Sequence, residues 1–340
     1  MKTKSHILKR GALCVGVLFA LTACGSFTPE SSKDVVQKFK KATTEIKAAD
    51  FAVEGTMVGL DKGDKIDLNV GVGAKFDRRE GVDRKGDLKL KLGGSMAAGG
   101  KSLSGDVDVE VRTLGDNFFF NIAKLDADDP AMAKYKEIID GYRGKWLKLA
   151  SDFIPESLKQ FQKKDEKALE REKQLKELFV GIDLFDVNKE FGVESLNGKK
   201  VYHYGVKLNE AGLKDYARKS ARVDGREMSD AEVDQSVSFA STVTNIELWI
   251  GAEDYYLYKG VITLSGGEAE KMGKSKLDVT FTGNSYNADP KIVSPENPES
   301  FNPITLMMQL QLLNPPAEEA PAKDEAVIEP VKEVVPAKKK

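Results

Sequence analysis

Residues 66–72, Ile66-Asp67-Leu68-Asn69-Val70-Gly71-Val72, set an apolar side chain at every second position and a polar or small one between. In an extended chain successive side chains point to opposite faces, so a period of two makes a strand with one apolar and one wet side. The same alternation precedes this stretch in Phe51, Val53, Gly55 and Met57. It follows in Leu88, Leu90, Leu92 and in Val107, Val109, Val111, with Asp, Lys and Gly punctuating the runs. One-sided strands separated by turn residues predict an antiparallel meander. Leu114 to Leu125 adds a strand around Phe118, Phe119, Phe120 and Ile122.

On the N-terminal side, Val35, Val36, Phe39, Ala42 and Ile46 recur near a period of 3.6, with Ser32 as the candidate cap of a helix. On the C-terminal side, Asp129-Pro130 opens a short helix through Ile139, since proline suits the first helical turn. Gly144 to Leu149 reads as a strand, and residues 155–180 as a highly charged helix. Asn197-Gly198 is a hairpin turn signal joining Phe191–Leu196 to Lys199–Leu208. Residues 209–240 are charged and helix-compatible. Asn245–Ile250 and Tyr255–Leu264 flank a turn at 251–254, Lys276–Thr282 is a last strand, and Phe301–Leu313 is a docking helix. The predicted fold class is therefore α+β: a strongly curved antiparallel sheet whose apolar face the helices of the middle segments are available to cover. The inward positions of such a sheet include Phe51, Val53, Met57, Leu68, Val70, Val109, Phe118, Phe120, Ile262 and Phe281, the candidate ligand-lining residues.

The N-terminus carries a different message. Lys2, Lys4, Lys9 and Arg10 precede a short apolar core over residues 11–23, too short for a comfortable membrane span of roughly 20 residues. A charged start, an apolar core and small residues at its end form a secretory signal. Its end, Leu21-Thr22-Ala23-Cys24, resembles the lipobox of bacterial lipoproteins. That resemblance implies cleavage before Cys24, a diacylglyceryl group on its thiol, and a lipid anchor on the extracytoplasmic face of a cell membrane. Two acyl chains hold a protein to a membrane stably where one does so marginally. Cys14 leaves with the signal, so Cys24 is the lone cysteine of the mature chain and no internal disulfide forms. The domain organisation expected is signal peptide 1–23, tether 24–32, one folded domain 33–313 and a disordered tail 314–340. The tail is rich in Pro, Ala, Glu, Lys and Val in low-complexity order.

Of 52 Lys and Arg, four lie in the signal, which leaves 48 against 54 acidic residues and a formal charge of about −6. That balance argues against a nucleic-acid partner, which calls for a basic excess. The motifs of catalysis are mostly missing. His203 is the one histidine after the signal, and its alternation with Tyr202 and Tyr204 suggests a surface or edge position. A single histidine without a thiol excludes the common zinc sites. Gly93-Gly-Ser95-Met-Ala97 comes nearest to a nucleophile elbow but lacks the last glycine, and it reads as a Gly-rich loop between strands. Asp126, Asp128 and Glu137 match positions 1, 3 and 12 of a calcium loop, yet Ala131 stands where its turn needs glycine; helix capping by Asp128 or Asp129 is the plainer reading. Gly71-Val-Gly73 sits in a strand pattern and is no dinucleotide motif. No cofactor, metal or enzymatic activity is expected.

Several stretches together carry a family likeness. They are the opening helix running into Phe51-Ala-Val-Glu-Gly-Thr56, Gly144-Lys-Trp-Leu-Lys-Leu149, the hairpin Glu194 to Val206, and Glu247-Leu-Trp-Ile250 with Tyr255 to Ile262. Over roughly residues 33–285 the chain resembles the LolA/LolB-type lipoprotein-carrier superfamily, and more nearly its lipid-transport lipoproteins of LppX and LprG type. The resemblance implies a half-open barrel closed by helices, with an apolar lumen that holds lipids or the acyl chains of lipoproteins, and no catalysis. The competing expectation is a structural or protein-interaction envelope lipoprotein with a filled core and no ligand cavity. Anchoring is directly testable. Cys24→Ser is expected to abolish acylation and release the protein from membranes, as read by fractionation and intact mass; a wild-type N-terminal peptide without acyl mass would refute the anchor.

Overall fold

The period-two stretches become long strands joined in sequence, because each offers one apolar face and its neighbour offers the matching one. In a computed structural model, residues 30–61, 64–80, 83–98, 101–128, 130–154, 166–265 and 274–313 are described. The meander is β1 (Ala48–Asp61), β2 (Asp64–Asp77), β3 (Lys85–Ala98), β4 (Lys101–Leu114) and β5 (Asn117–Ala127), preceded by helix α1 (Ser32–Thr44). After it come α2 (Pro130–Asp140), β6 (Trp146–Leu149) and α3 (Glu166–Gly181). The second run of strands is β7 (Phe185–Leu196), β8 (Lys199–Leu208), β9 (Val243–Gly251), β10 (Leu257–Ser265) and β11 (Lys274–Tyr286). Between β8 and β9 lie α4 (Glu210–Val223) and α5 (Asp230–Val237); β12 (Glu299–Phe301) and α6 (Pro303–Leu313) come last. All twelve strands form one curved sheet in the order β12-β6-β5-β4-β3-β2-β1-β11-β10-β9-β8-β7. Every pairing is antiparallel except β12 with β6. Among the described residues the edges β12 and β7 do not pair, so the sheet is not closed into a barrel.

Local chemistry sets the boundaries. Ser31, one residue before the expected cap, accepts a hydrogen bond from the Asp34 N–H at 3.2 Å. Its free N-terminal amides need that partner, and Asp34 in the first turn and Lys41 in the last suit the helix dipole. Asn197 and Gly198 both take positive φ, 52° and 82°, which is what the tight β7–β8 turn demands. The charged segment 209–240 is two helices rather than one. Ser229 and Glu232 form a reciprocal capping box that starts α5 afresh. Of the helix expected over 155–180, the part before Glu166 lies outside the described residues. Leu114 ends β4 instead of opening the next strand, which starts at Asn117 after a turn through Gly115 at φ 53°. Phe301 belongs to a strand and not to the helix after it: Glu299–Phe301 pairs with Leu147–Leu149, and Pro303 opens α6.

The stretch 93–97 corrects a loop expectation. It lies within β3, where Gly93 and Gly94 face Asp106 and Gly105 on β4. A Cβ on Gly94 would run into the carbonyl of Asp67 and come within 2.9 Å of the Leu68 side chain, so the close strand approach, not a loop, requires glycine there.

The best-buried core sits at one end of the sheet. Val35 and Phe39 of α1 pack on Tyr202, Tyr204, Val206, Ile246, Leu248 and Ile250 of β8 and β9. The helix that enters the core is therefore α1, while α3 has no buried side chain and lies against α1 and α4. Lys40 of α1 is 1% exposed and donates from Nζ to the Ile182 carbonyl at 2.7 Å, with Asp183 at 3.8 Å. Burial pushes its ammonium below the usual lysine range, and Asp183 pulls the other way. The contact ties α1 to the junction of α3 and β7. Lys40→Ala is expected to destabilise the fold by about 1–3 kcal/mol by orphaning that carbonyl, read as a lower thermal midpoint; an unchanged midpoint would mean the tie does not matter.

Candidate functional site: an apolar sheet face left open at its centre

Register places the alternating residues of neighbouring strands on one surface. Val53 pairs with Val72 and Phe281, and Met57 with Leu68 and Leu277. Val72 continues to Leu90 and then Val109, and Val70 to Leu92 and then Val107. Phe281 leads to Gly260 and Val279 to Ile262, which meets Ile246. This is the face that α1 covers at β8 and β9, here called the inner face. At the other end Val111 meets Phe120, which meets Leu147. A bulge between Asp108 and Val109 keeps the apolar positions of β4 and β5 on the same side.

The residues singled out by alternation, Phe51, Val53, Met57, Leu68, Val70, Val109, Phe118, Phe120, Ile262 and Phe281, all fall on this inner face. None is fully buried. Phe51 stacks on Phe281 with ring centroids 5.6 Å apart, and Phe120 meets the edge of Phe301 at 4.9 Å, with Tyr142 on the other side of Phe301. The ends of the face are thus packed, by α1 at one end and by Phe301 and Tyr142 at the other. In the centre the side chains stay open among the described residues: Leu68 is 41% exposed, Leu92 40% and Met96 45%, with Val70, Leu88, Leu103 and Ile262 similar. Leu88, Leu92, Met96 and Leu103 were not singled out from the sequence, although the alternation that marked their neighbours includes the first two.

The opposite face is wet and laddered with charge. Lys89 pairs with Glu110 at 2.9 Å, Lys91 with Asp108 at 3.7 Å, and Arg112 with Asp87 at 2.8 Å, each pair directly cross-strand. The Arg112 guanidinium also lies 4.7 Å from the Trp146 ring centroid. An apolar inner face against an ionic outer face fixes which side of the sheet is open to an apolar ligand.

A cavity of 350 Å³ lies where the inner face reaches the β2–β3 turn. Phe76, Leu88, Val111 and Phe118 line it, and Arg78 and Arg84 stand at its margin. Both arginines escaped sequence reasoning, since a charge beside a turn looks like ordinary solvated surface.

His203 is neither exposed nor at an edge. It is 9% exposed on β8, with β7 on one side and β9 on the other. Its ring is stacked between Phe191 and Trp249, each 4.1 Å away, with Lys189 over Phe191 and Lys259 over Trp249. Nε2 lies 3.0 Å from Glu247, and Glu194 both accepts from the Trp249 indole and lies 3.6 Å from Nδ1. The Glu247 carboxyl is held below its usual range by Asn245 and His203 against the upward push of burial. Those contacts occupy the imidazole on its outer-face stack, away from the apolar face. Asp126 pairs with Arg143 at 3.4 Å, and Asp128 accepts from the Ser104 hydroxyl; the structure does not gather them into one site with Glu137, and Asp129 is outside the described residues. Cys24, the tether before Glu30 and the tail 314–340 also lie outside the described residues. Among the described residues no helix is long and apolar enough to cross a membrane.

What the fold and face define is an α+β protein with one open, curved antiparallel sheet, apolar within and charged without. No family model matches the sequence, and no curated protein matches it. Solved structures share its arrangement loosely. Mycobacterium tuberculosis lipoprotein LppX is 13% identical, covering 77% of this chain and 100% of its own, with a TM-score of 0.28. A DUF1329 family protein from Desulfovibrio piger is 8% identical over 78% of this chain and 96% of its own, with a TM-score of 0.22. A putative outer membrane lipoprotein-sorting protein domain from Vibrio parahaemolyticus is 9% identical over 78% and 94%, with a TM-score of 0.20. At such scores the chain's activity has to be judged from its own inner face.

The open centre and packed ends respond differently to volume. Val70→Trp is expected to leave the thermal midpoint nearly unchanged, since Val70 is 38% exposed beside Gly55. Phe120→Ala is expected to lose about 1–2 kcal/mol, less than the cost for a fully buried ring. Equal destabilisation by both would show that the centre is packed as tightly as the ends.

Proposed function

We propose that this protein is a membrane-anchored extracytoplasmic lipoprotein that binds or carries hydrophobic ligands, lipids or lipoprotein acyl chains, on its inner face without catalysing a reaction. The observation that carries this reading is the run of exposed Leu, Val and Met side chains across β2–β4, continued by half-buried apolar ones on β1 and β11 to exposed Ile262 on β10, on a sheet whose outer face is ionic at β3 and β4. Monomeric soluble proteins rarely leave large contiguous apolar patches open unless something binds there. Burying an acyl chain on such a face is favourable by about 0.8 kcal/mol per methylene. Phe51, Val53, Met57, Leu68, Val70, Val109, Phe118, Phe120, Ile262 and Phe281 are the lining residues of this proposal. Lipid-modified Cys24 is its anchor, holding the face close to the bilayer from which ligands come. The engaged ring of His203 and the placement of Ser95 within a strand support a binding role over catalysis.

The test is to recover the protein from its native membrane and identify co-purified lipid by mass spectrometry, beside a Leu68→Asp/Leu92→Asp variant. Both positions are largely exposed, so the fold is expected to hold within about 0.5 kcal/mol. Two charges on the face are expected to lower lipid recovery about tenfold, the loss of roughly two buried methylenes. If the wild type yields no lipid and binds none in vitro, the envelope-scaffold alternative takes its place.

A further inference from the structure

At one end the apolar columns of the inner face run into paired positive charge. Ala74 and Phe76 are inward positions of β2, and the next in that series is Arg78. On β3 the inward series Leu88 and Gly86 leads back to Arg84. Register pairs Phe76 with Gly86 and Ala74 with Leu88, so the arginines extend adjacent columns past the strand ends and border the same 350 Å³ cavity. The Arg78 guanidinium lies 5.3 Å from the Phe76 ring centroid, which holds it against the apolar wall.

The charges around this corner favour an anion. Of the charged residues around the cavity, Arg78 and Arg84 hold inward positions, whereas Lys75, Lys85 and Asp87 alternate with Phe76, Gly86 and Leu88 and belong to the outer face. Asp87 is bound to Arg112 at 2.8 Å, and Lys75 reaches Asp50 at 3.3 Å. On the helical side, Glu172 of α3 is paired with Lys176 at 2.7 Å. The Glu172 carboxyl is held below its usual range first by Lys176, against the upward push of burial, with a smaller pull from Arg78 and Arg84. Thr113 adds a hydroxyl to the wall, and glycine at position 86 keeps room beside it, since a Cβ there would sit 2.9 Å from the Thr113 oxygen.

We propose that this corner is a head-group site: Arg78 and Arg84 hold the phosphate of an anionic lipid whose chain lies on Phe76, Leu88 and Val111 toward the open centre of the face. Guanidinium forks match phosphate oxygens, and their bonds strengthen beside an apolar wall. The proposal rests on the carrier reading and adds the ligand's charge to it.

The experiment uses delipidated full-length protein and two pyrene-labelled lipids with identical chains, phosphatidylglycerol and phosphatidylcholine. Wild type is expected to bind the anionic lipid about tenfold more tightly, a preference that falls at about 0.5 M salt. Arg78→Gln/Arg84→Gln is expected to erase the preference while keeping its affinity for phosphatidylcholine. Either single variant, Arg78→Gln or Arg84→Gln, is expected to weaken the preference, and the pair serves as the test if the double variant does not fold. Equal binding of both lipids by wild type, or a preference that survives the double variant, overturns the head-group site but leaves the carrier reading standing. Failure of wild type to bind either lipid overturns both. Displacement of the labelled lipid by about 10 mM inorganic phosphate would assign the arginines to free phosphate instead.

Discussion

β1 is hydrogen-bonded on both sides, to β2 and to β11, over nearly its whole length. That double pairing joins the meander of the first half of the chain to the strands of the second. Side chains alternate with a period of two, so a slip of one residue between β1 and β11 would turn Phe51, Val53 and Met57 away from Phe281, Val279 and Leu277. The irregularity in the pairing falls at Asp50/Phe51, near the end of the ladder, which leaves the rest in a single register. The continuity of the apolar face from β5 to β9 depends on this register being kept.

Stability and openness are separated in space. β8 is buried on both faces: Tyr202, Tyr204 and Val206 lie under α1, while Val201 and His203 pack outward with Trp249, Tyr258 and Phe191. Burial pushes the Tyr204 phenol up to about 12, a sign of how little water reaches that end. The edge next to it, β7, carries irregularities at Val187/Lys189 and Glu190/Gly192, and its exposed Lys189, Glu190 and Glu194 discourage further strand pairing. The central strands have no helix inserted over them among the described residues. α3 is too charged for that, since a helix in a core needs a wide apolar stripe and α3 buries no side chain.

Much of this was legible in the sequence because the physics was local. Alternation sorted Leu68, Val70 and Val109 onto one face before any pairing was known, since strand geometry alone dictates it. The missing parts depended on neighbours. Gly93 and Gly94 looked like a loop because glycine is common in turns, whereas here the backbone and side chains of β2 leave no room for a Cβ at Gly94. His203 looked like an edge residue because its own strand does not reveal that Phe191 and Trp249 will sandwich it. Phe301 looked like the start of an apolar helix because nothing local announces a parallel partner at Leu149. Arg78 and Arg84 sit at a turn, where charge is expected, and gain meaning only when register aligns them over one cavity.

The charged outer face and the open inner face are linked consequences of the same alternation. Ion pairs such as Lys89–Glu110 lie in water and contribute little stability each. Their effect is on specificity: a strand whose outer positions are Lys, Asp and Glu cannot turn that side toward an apolar ligand or a second sheet without desolvating charge. The inner positions of the same strands carry Leu, Val and Met with no helix over them among the described residues. An apolar chain laid along the centre would be sheltered on one side by the sheet. Its polar end would then reach the corner where Arg78 and Arg84 end the apolar columns. The sheet thus imposes a direction on anything it holds, because only one end of its apolar face closes on α1 and the β2–β3 corner offers charge.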